Sequence, residues 1–182
     1  MISPRLIFIV ILIVSTFTLG GCFPKNKYRG KGYIVSVPAG WKKGAPLEKS
    51  FIEISKYKPE LVTFDSPGRD SFDDPEATIS IYTQRFDDPI WVEDITKLIS
   101  RWVKNQGYVI LGEGKINYEE DVGFSVNYRE QYTDKTYLDF YFTTDGKIFL
   151  VVTYATTLDK FKKYIPDFET FRNSVEFTMG II

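Results

Sequence analysis

Val122-Gly123-Phe124-Ser125-Val126-Asn127-Tyr128-Arg129 alternates large apolar side chains with small or polar ones, without a break. A two-residue period puts Val122, Phe124, Val126 and Tyr128 on one face of a β-strand and the remainder on the other. The pattern then repeats. Thr133-Asp134-Lys135 is a turn by composition, and Leu138, Phe140 and Phe142 form the next alternating set. Asp145-Gly146 is a two-residue hairpin signal of type I′ character. The return strand runs from Ile148 to Ala155. Its Phe149-Leu150-Val151-Val152 is apolar on both faces, which predicts a central strand covered on both sides. Three consecutive strands joined by short turns make an antiparallel meander. Tyr128, Tyr132, Tyr137 and Tyr141 lie along it. Cross-strand pairing on a half-covered face accounts for such a row, and a ring surface for sugars or peptides is the alternative.

Working outward, Ala77, Ile79 and Ile81 alternate with Thr78 and Ser80, so residues 77–86 read as a half-buried strand. Ile95, Leu98, Ile99, Trp102 and Val103 follow a helical stripe, with Glu93 and Asp94 near its start and Gly107 as a left-handed cap. Residues 108–118 are a strand whose Gly112 and Gly114 hint at a bulge; Glu119-Glu120-Asp121 is the turn after it. Nearer the N-terminus, residues 33–38 form the first strand, Trp41 plugs the end of the core, and residues 61–64 add a short strand. Between them, residues 46–59 are a strand at 51–54 or a surface loop. After the meander, Leu158, Phe161, Ile165, Phe168 and Phe171 face inward from a helical region. Pro166 lacks an amide donor and disfavours helix at Ile165, so a short turn and then a second helix are expected. Val175-Glu176-Phe177 is the last strand.

The leader sets the address. Residues 1–21 have the three parts of an export signal: Arg5, an unbroken hydrocarbon run from Leu6 to Val14, then Ser15, Thr16, Thr18 and two glycines. Leu19-Gly20-Gly21-Cys22 resembles a bacterial lipoprotein processing site, which makes Cys22 the mature N-terminus and the lipid-bearing residue. An uncleaved anchor and simple secretion are the alternatives, although the run is short for a span of roughly 20 apolar residues. Cys22 is the chain's one cysteine, so no internal disulfide is possible, and a thioether-linked lipid would consume the thiol. Two or more acyl chains hold a protein stably where one does not. Phe23 stands where an aspartate would signal inner-membrane retention, which points to the outer membrane in a two-membrane host. Residues 22–31 read as a polar tether and residues 32–182 as one domain.

Composition narrows the function. With 23 basic and 24 acidic residues the formal charge is −1, and no basic patch is present to serve nucleic acid. There is no histidine, which removes histidine-based triads and histidine metal ligation. No cofactor is implied. Asp65, Asp70, Asp73, Asp74 and Glu76 concentrate carboxylates in one loop and are candidate calcium ligands, but their spacing lacks the rhythm of an EF-hand. Arg69 sits among them, and a solvated acidic loop is the plainer reading. Asp73 and Glu76 would also be the acids of a carboxylate-based hydrolase, if they faced each other across a cleft.

The order of elements carries a resemblance. Gly32-Tyr33-Ile34-Val35-Ser36-Val37-Pro38-Ala39-Gly40-Trp41 resembles the opening of PsbP-like domains, a Gly-aromatic strand running into Pro-x-x-Trp. Residues 77–83 are similar to the family's second long strand, and residues 92–107 to its main helix. Asp145-Gly146-Lys147 resembles its late hairpin, and Ser174-Val175-Glu176-Phe177 its closing strand. The likeness spans nearly all of residues 32–177, though residues 46–59 look longer than the usual connection. It implies an α+β fold, an α-β-α sandwich with a central, mostly antiparallel sheet flanked by helices, shared with Mog1 proteins and several bacterial lipoproteins. It implies a non-catalytic envelope protein, held to the membrane through Cys22, that binds or assembles a protein partner. Some family members assist photosystem II from the lumenal side, which is the alternative role. Metal sites proposed in that branch pair histidine with carboxylate, and this chain has no histidine to supply.

Overall fold

The computed structural model describes residues 26–45, 61–118, 121–143 and 145–178. Its elements run β1 (Lys27–Arg29), β2 (Tyr33–Ser36), β3 (Lys42–Lys43), β4 (Leu61–Asp65), β5 (Ala77–Arg85), α1 (Val92–Asn105) and β6 (Tyr108–Tyr118). They continue with β7 (Asp121–Glu130), β8 (Lys135–Thr143), β9 (Ile148–Thr157), α2 (Phe161–Asn173) and β10 (Glu176–Phe177). Seven strands form one antiparallel sheet in the order β3-β4-β5-β9-β8-β7-β6, and β1-β2-β10 form a second, small one. The meander expected from the sequence is there, with β6 added to it.

Alternation along the strands builds two cores, one on each face. Toward α2 and the small sheet point Ile79, Ile81, Phe140, Phe142, Leu150, Val152 and Tyr154, which pack with Phe168, Phe171, Trp41 and Phe64. Toward α1 point Tyr82, Phe124, Val126, Tyr128, Tyr137, Tyr141, Phe149 and Val151, which meet Ile95, Ile99 and Val103. The helix stripe is narrower than expected, because Leu98 is partly exposed and Trp102 only partly buried. Gly107 does adopt the left-handed conformation that ends α1, at φ 75°. The β6 bulge is also present, as a register shift between Ile110 and Gly112.

The α+β class holds in a sheet-dominated form. The described residues contain two helices, one against each face, and the small sheet shares one face with α2. Among the described residues a helix does lie against each face, but neither face carries a full helical layer, so the expected α-β-α sandwich reduces to a sheet-dominated α+β fold.

Other expectations are revised by packing. Residues 26–31 are not a free tether: Lys27–Arg29 pairs with β2, and Tyr28 lies edge-on to Phe64 with ring centres 5.4 Å apart. The two basic residues face water on either side of that tyrosine, so the segment looks polar while making a strand. Strand β5 is buried on both faces, not half-buried. Its polar side chains are tolerated inside because they find partners, as with Thr63 Oγ1 and Ser80 Oγ at 3.0 Å.

The β8–β9 connection is longer than a type I′ turn. Asp145 has an ordinary φ, and among the described residues of the connection only Gly146, at 71°, is left-handed. The Asp145 carboxylate accepts from the amides of Lys147 and Ile148, and Thr143 Oγ1 accepts from Gly146, so side chains define this turn. Helix α2 passes through Pro166 without a break. Burial of Tyr164, Phe168 and Phe171 offsets the lost hydrogen bond, and Thr170 Oγ1 donates to the Pro166 carbonyl at 2.8 Å. Leu158, expected inside, is on the surface, and Tyr164 occupies the inward position on α2. Trp41 is buried as expected, its indole N–H donating to Asp167 at 2.9 Å. Residues 1–25, 46–60 and 119–120 lie outside the described part, and with them the leader, Cys22, the 51–54 strand and the Glu119-Glu120 turn.

Candidate functional site

Every long strand of the sheet has one end near Ala77, Thr157, Lys135 and Glu130, as the pairings Asp65↔Thr78, Ala77↔Thr156, Lys135↔Thr157 and Tyr108↔Glu130 show. At that end the chain makes the connections β4–β5, α1–β6, β7–β8 and β9–α2. The carboxylate loop, residues 65–76, is the largest of them. Ser66 fastens its base: the hydroxyl accepts from the Ala77 amide at 3.0 Å and donates to the Gly68 carbonyl at 3.2 Å. The Asp70 carboxylate folds the tip by accepting from the amides of Phe72 at 2.8 Å and Asp74 at 3.0 Å. Asp73 takes the left-handed backbone that closes the turn, at φ 66°.

The five candidate calcium ligands are thereby split. Asp65 leaves the strand near Arg69, 4.0 Å away, and burial holds its carboxyl above the usual range. Asp70 serves the loop's own amides. Glu76 turns the other way, onto α2, where it accepts from Tyr164 at 2.6 Å and pairs with Lys163 and Lys160. Hydrogen bonds from Lys163 and Tyr164 pull its carboxyl down to about 2. Asp73 and Asp74 stay at the exposed tip. Among the described residues no three acidic side chains gather to hold a metal, and Asp73 and Glu76 do not face each other as a catalytic pair.

The tyrosine row divides as well. Tyr128 and Tyr137 stack at 5.1 Å and Tyr108 joins them at 5.5 Å from Tyr128, while Tyr141 stacks on Phe124 at 4.5 Å. All but Tyr132 are under α1, so cross-strand pairing is their role. Tyr128 and Tyr141 both donate to one oxygen of Asp139, at 3.1 Å each. Asp139 is fully enclosed. Its other oxygen faces the Thr153 hydroxyl across the strand pair, and burial pushes the carboxyl up to about 6 against the pull of the Thr153, Tyr141 and Tyr128 hydroxyls. This is the most perturbed acid in the sheet, and it is closed to any substrate.

A shallow cleft of about 380 Å³ runs along α1, lined by Lys97, Ser100, Arg101, Lys104 and Asn105. Lys97 pairs with Asp94, and Ser100 donates to Glu113 on β6. Arg101 and Lys104 make no ion pair among the described residues, so the cleft carries uncompensated positive charge.

Comparison with solved structures places this arrangement. The cyanobacterial PsbP protein CyanoP from Synechocystis sp. PCC 6803 superposes with a TM-score of 0.59 at 16% identity, over 88% of this chain and 99% of its own. PA94 from Pseudomonas aeruginosa, a protein of unknown function, gives 0.59 at 14% identity over 77% and 99%. LpqN of Mycobacterium tuberculosis, involved in cell envelope biogenesis, gives 0.53 at 15% identity over 80% and 83%. The chain has the PsbP/Mog1-like fold. No protein-family model matches the sequence, and neither does any curated protein.

Within the PsbP/Mog1-like fold, the loop end and the α1 cleft are the two surfaces with unspent chemistry. Sequence reasoning found the acidic loop but not the division of its carboxylates, which depends on where α2 brings Lys160, Lys163 and Tyr164. It missed Asp139 altogether. The signal was available: Tyr137-Leu138-Asp139-Phe140-Tyr141 puts an aspartate in step with two tyrosines, on the inward face of the middle of a sheet. It also missed the cleft. Lys97, Arg101 and Lys104 recur at helical spacing on the side of α1 opposite Ile95 and Ile99, a stripe that usually belongs to a solvated face.

Proposed function

We propose that this chain is a lipid-anchored, non-catalytic domain on the extracytoplasmic side of a bacterial membrane, holding or assembling a membrane-associated protein partner. The observation that carries the reading is the Leu19-Gly20-Gly21-Cys22 site: it contains the chain's one cysteine and stands four residues ahead of Asn26, where the described fold begins. The fold supports it, since one structural neighbour is involved in cell envelope biogenesis and none of the three is described as an enzyme. The chemistry is consistent with it too: Asp139, whose carboxyl burial raises, is sealed, and the exposed acids are dispersed or paired. Cationic Arg101 and Lys104 give the α1 cleft the character to receive an acidic segment of the partner. Tethering raises effective concentration, so a weak contact suffices.

The test is cross-linking of the full chain on intact membranes, with Cys22→Ser as control and mass spectrometry of the N-terminal peptide. A diacylated Cys22 peptide and one complex enriched with the natural chain but lost in the control are expected. An unmodified Cys22, or no enriched protein from either form, counts against the reading. The likeness to CyanoP favours a photosystem accessory role as the second possibility; loss of the gene should then impair oxygen evolution, and a host without photosystems ends it.

A further inference from the structure

Phe72, Tyr132 and Leu158 are large side chains left 85%, 90% and 49% exposed. They lie on three different connections, β4–β5, β7–β8 and β9–α2, and all three leave the sheet at the same end. The N-terminal segment enters there too. The Asn26 carbonyl accepts from the Val37 amide at 2.7 Å, and Val37 leads through the Pro38–Trp41 turn to Lys42, which pairs with Asp65 at the base of the acidic loop. Gly40 of that turn sits against Pro67, to whose ring a Cβ at Gly40 would come within 3.6 Å.

From Cys22 to Asn26 is four residues, a reach of about 14 Å at most. A lipid on Cys22 therefore keeps this end of the sheet, and no other, close to the bilayer. We propose that the loop end seats on the lipid surface that carries the anchor, with Phe72, Tyr132 and Leu158 entering the interfacial layer. The inference rests on the reading of Cys22 as the lipid-bearing residue.

The charge around the three tips decides which surface they fit. Asp70, Asp73, Asp74, Asp134 and Asp159 outnumber Arg69, Lys135 and Lys160. An anionic bilayer would repel that set, so the match is a zwitterionic phospholipid surface met by apolar contact. Tyr132 has the amphipathic ring that settles at head-group depth. Three side chains alone would hold a free domain poorly. Held by the anchor, they need only orient it. Seated this way, the sheet stands on its loop end and presents the α1 cleft sideways along the membrane.

The test uses the full chain extracted from expressing cells and reconstituted in phosphatidylcholine vesicles containing bromine-labelled acyl chains. Phe72→Trp and Tyr132→Trp place reporters at the tips, and the natural Trp91, exposed at the opposite end of the sheet, is the control. Emission from the added tryptophans should fall by about twofold with bromine near the head groups, and the fall should persist in 1 M salt. Unquenched reporters on a protein whose Cys22 carries lipid overturn the docking and leave the anchoring intact. Quenching that needs anionic lipid and vanishes in salt also overturns it. If mass spectrometry finds Cys22 unmodified, the anchoring reading fails on its own. The same chain, coupled through its one thiol to a maleimide phospholipid, then decides docking separately.

Discussion

Asp139 and Glu76 are both carboxylates that receive tyrosine hydroxyls, and their surroundings drive them in opposite directions. Asp139 lies inside the sheet beneath α1, with two tyrosines on one oxygen and no cation near enough to pair. Burial dominates and raises it to about 6. Glu76 sits at the loop end, gripped by Lys163, Tyr164 and Lys160, and falls to about 2. The lesson is that hydroxyl donors alone do not offset full desolvation, whereas one hydroxyl and two ammonium groups at the surface readily do.

The largest break in this comparison is Asp139→Leu. It leaves two buried hydroxyls without an acceptor, each costing roughly 1–3 kcal/mol, so urea unfolding should show a loss of about 2–6 kcal/mol. Next is Gly68→Ala, where a Cβ would clash with a Glu76 oxygen and, more closely still, with the Tyr164 hydroxyl. Tyr164 cannot swing freely because its ring lies edge-on to Trp41, 5.9 Å away. The clamp should open at a cost of roughly 1–3 kcal/mol, with faster proteolytic nicking in residues 66–76.

The pH dependence sharpens the contrast. Asp139 binds its proton more tightly folded than unfolded, so stability should rise as pH falls from about 6 toward 3.8. Glu76 binds its proton less tightly when folded, so its contribution is present above pH 4.5 and is lost as pH falls toward 2. Unfolding free energy against pH should therefore pass through a maximum near the crossover. Asp139→Asn should flatten the upper limb alone, and Glu76→Gln the lower. A profile that both substitutions change alike would mean the two sites are coupled. The smallest effect belongs to Arg101→Glu with Lys104→Glu, which should leave stability within about 0.5 kcal/mol while abolishing cross-linking to an acidic partner.

Much of the architecture was legible because it depends on local patterning. The alternation from Val122 to Ala155, the stripe from Ile95 to Val103 and the Gly107 cap each need only a window of a few residues. The errors came where a distant element changes what a residue means. Pro166 remains helical because Phe168 and Phe171 are buried against strands. Thr78 and Ser80 are interior because β5 lies between β4 and β9, and the Ser80 hydroxyl meets that of Thr63. Lys27–Arg29 is a strand because β2 offers an edge.

The candidate site shows the same division. The sequence alone determined that the acids cluster in residues 65–76, that no histidine is available for catalysis or metal, and that one cysteine follows an export-like leader. Only the tertiary structure decided that Glu76 belongs to α2, that Asp139 is sealed with two tyrosines, and that Phe72, Tyr132 and Leu158 share one end of the sheet. The physical reason is range. Periodicity and composition act over neighbouring residues, whereas a carboxylate's charge state and a side chain's exposure are set by whatever the fold brings alongside.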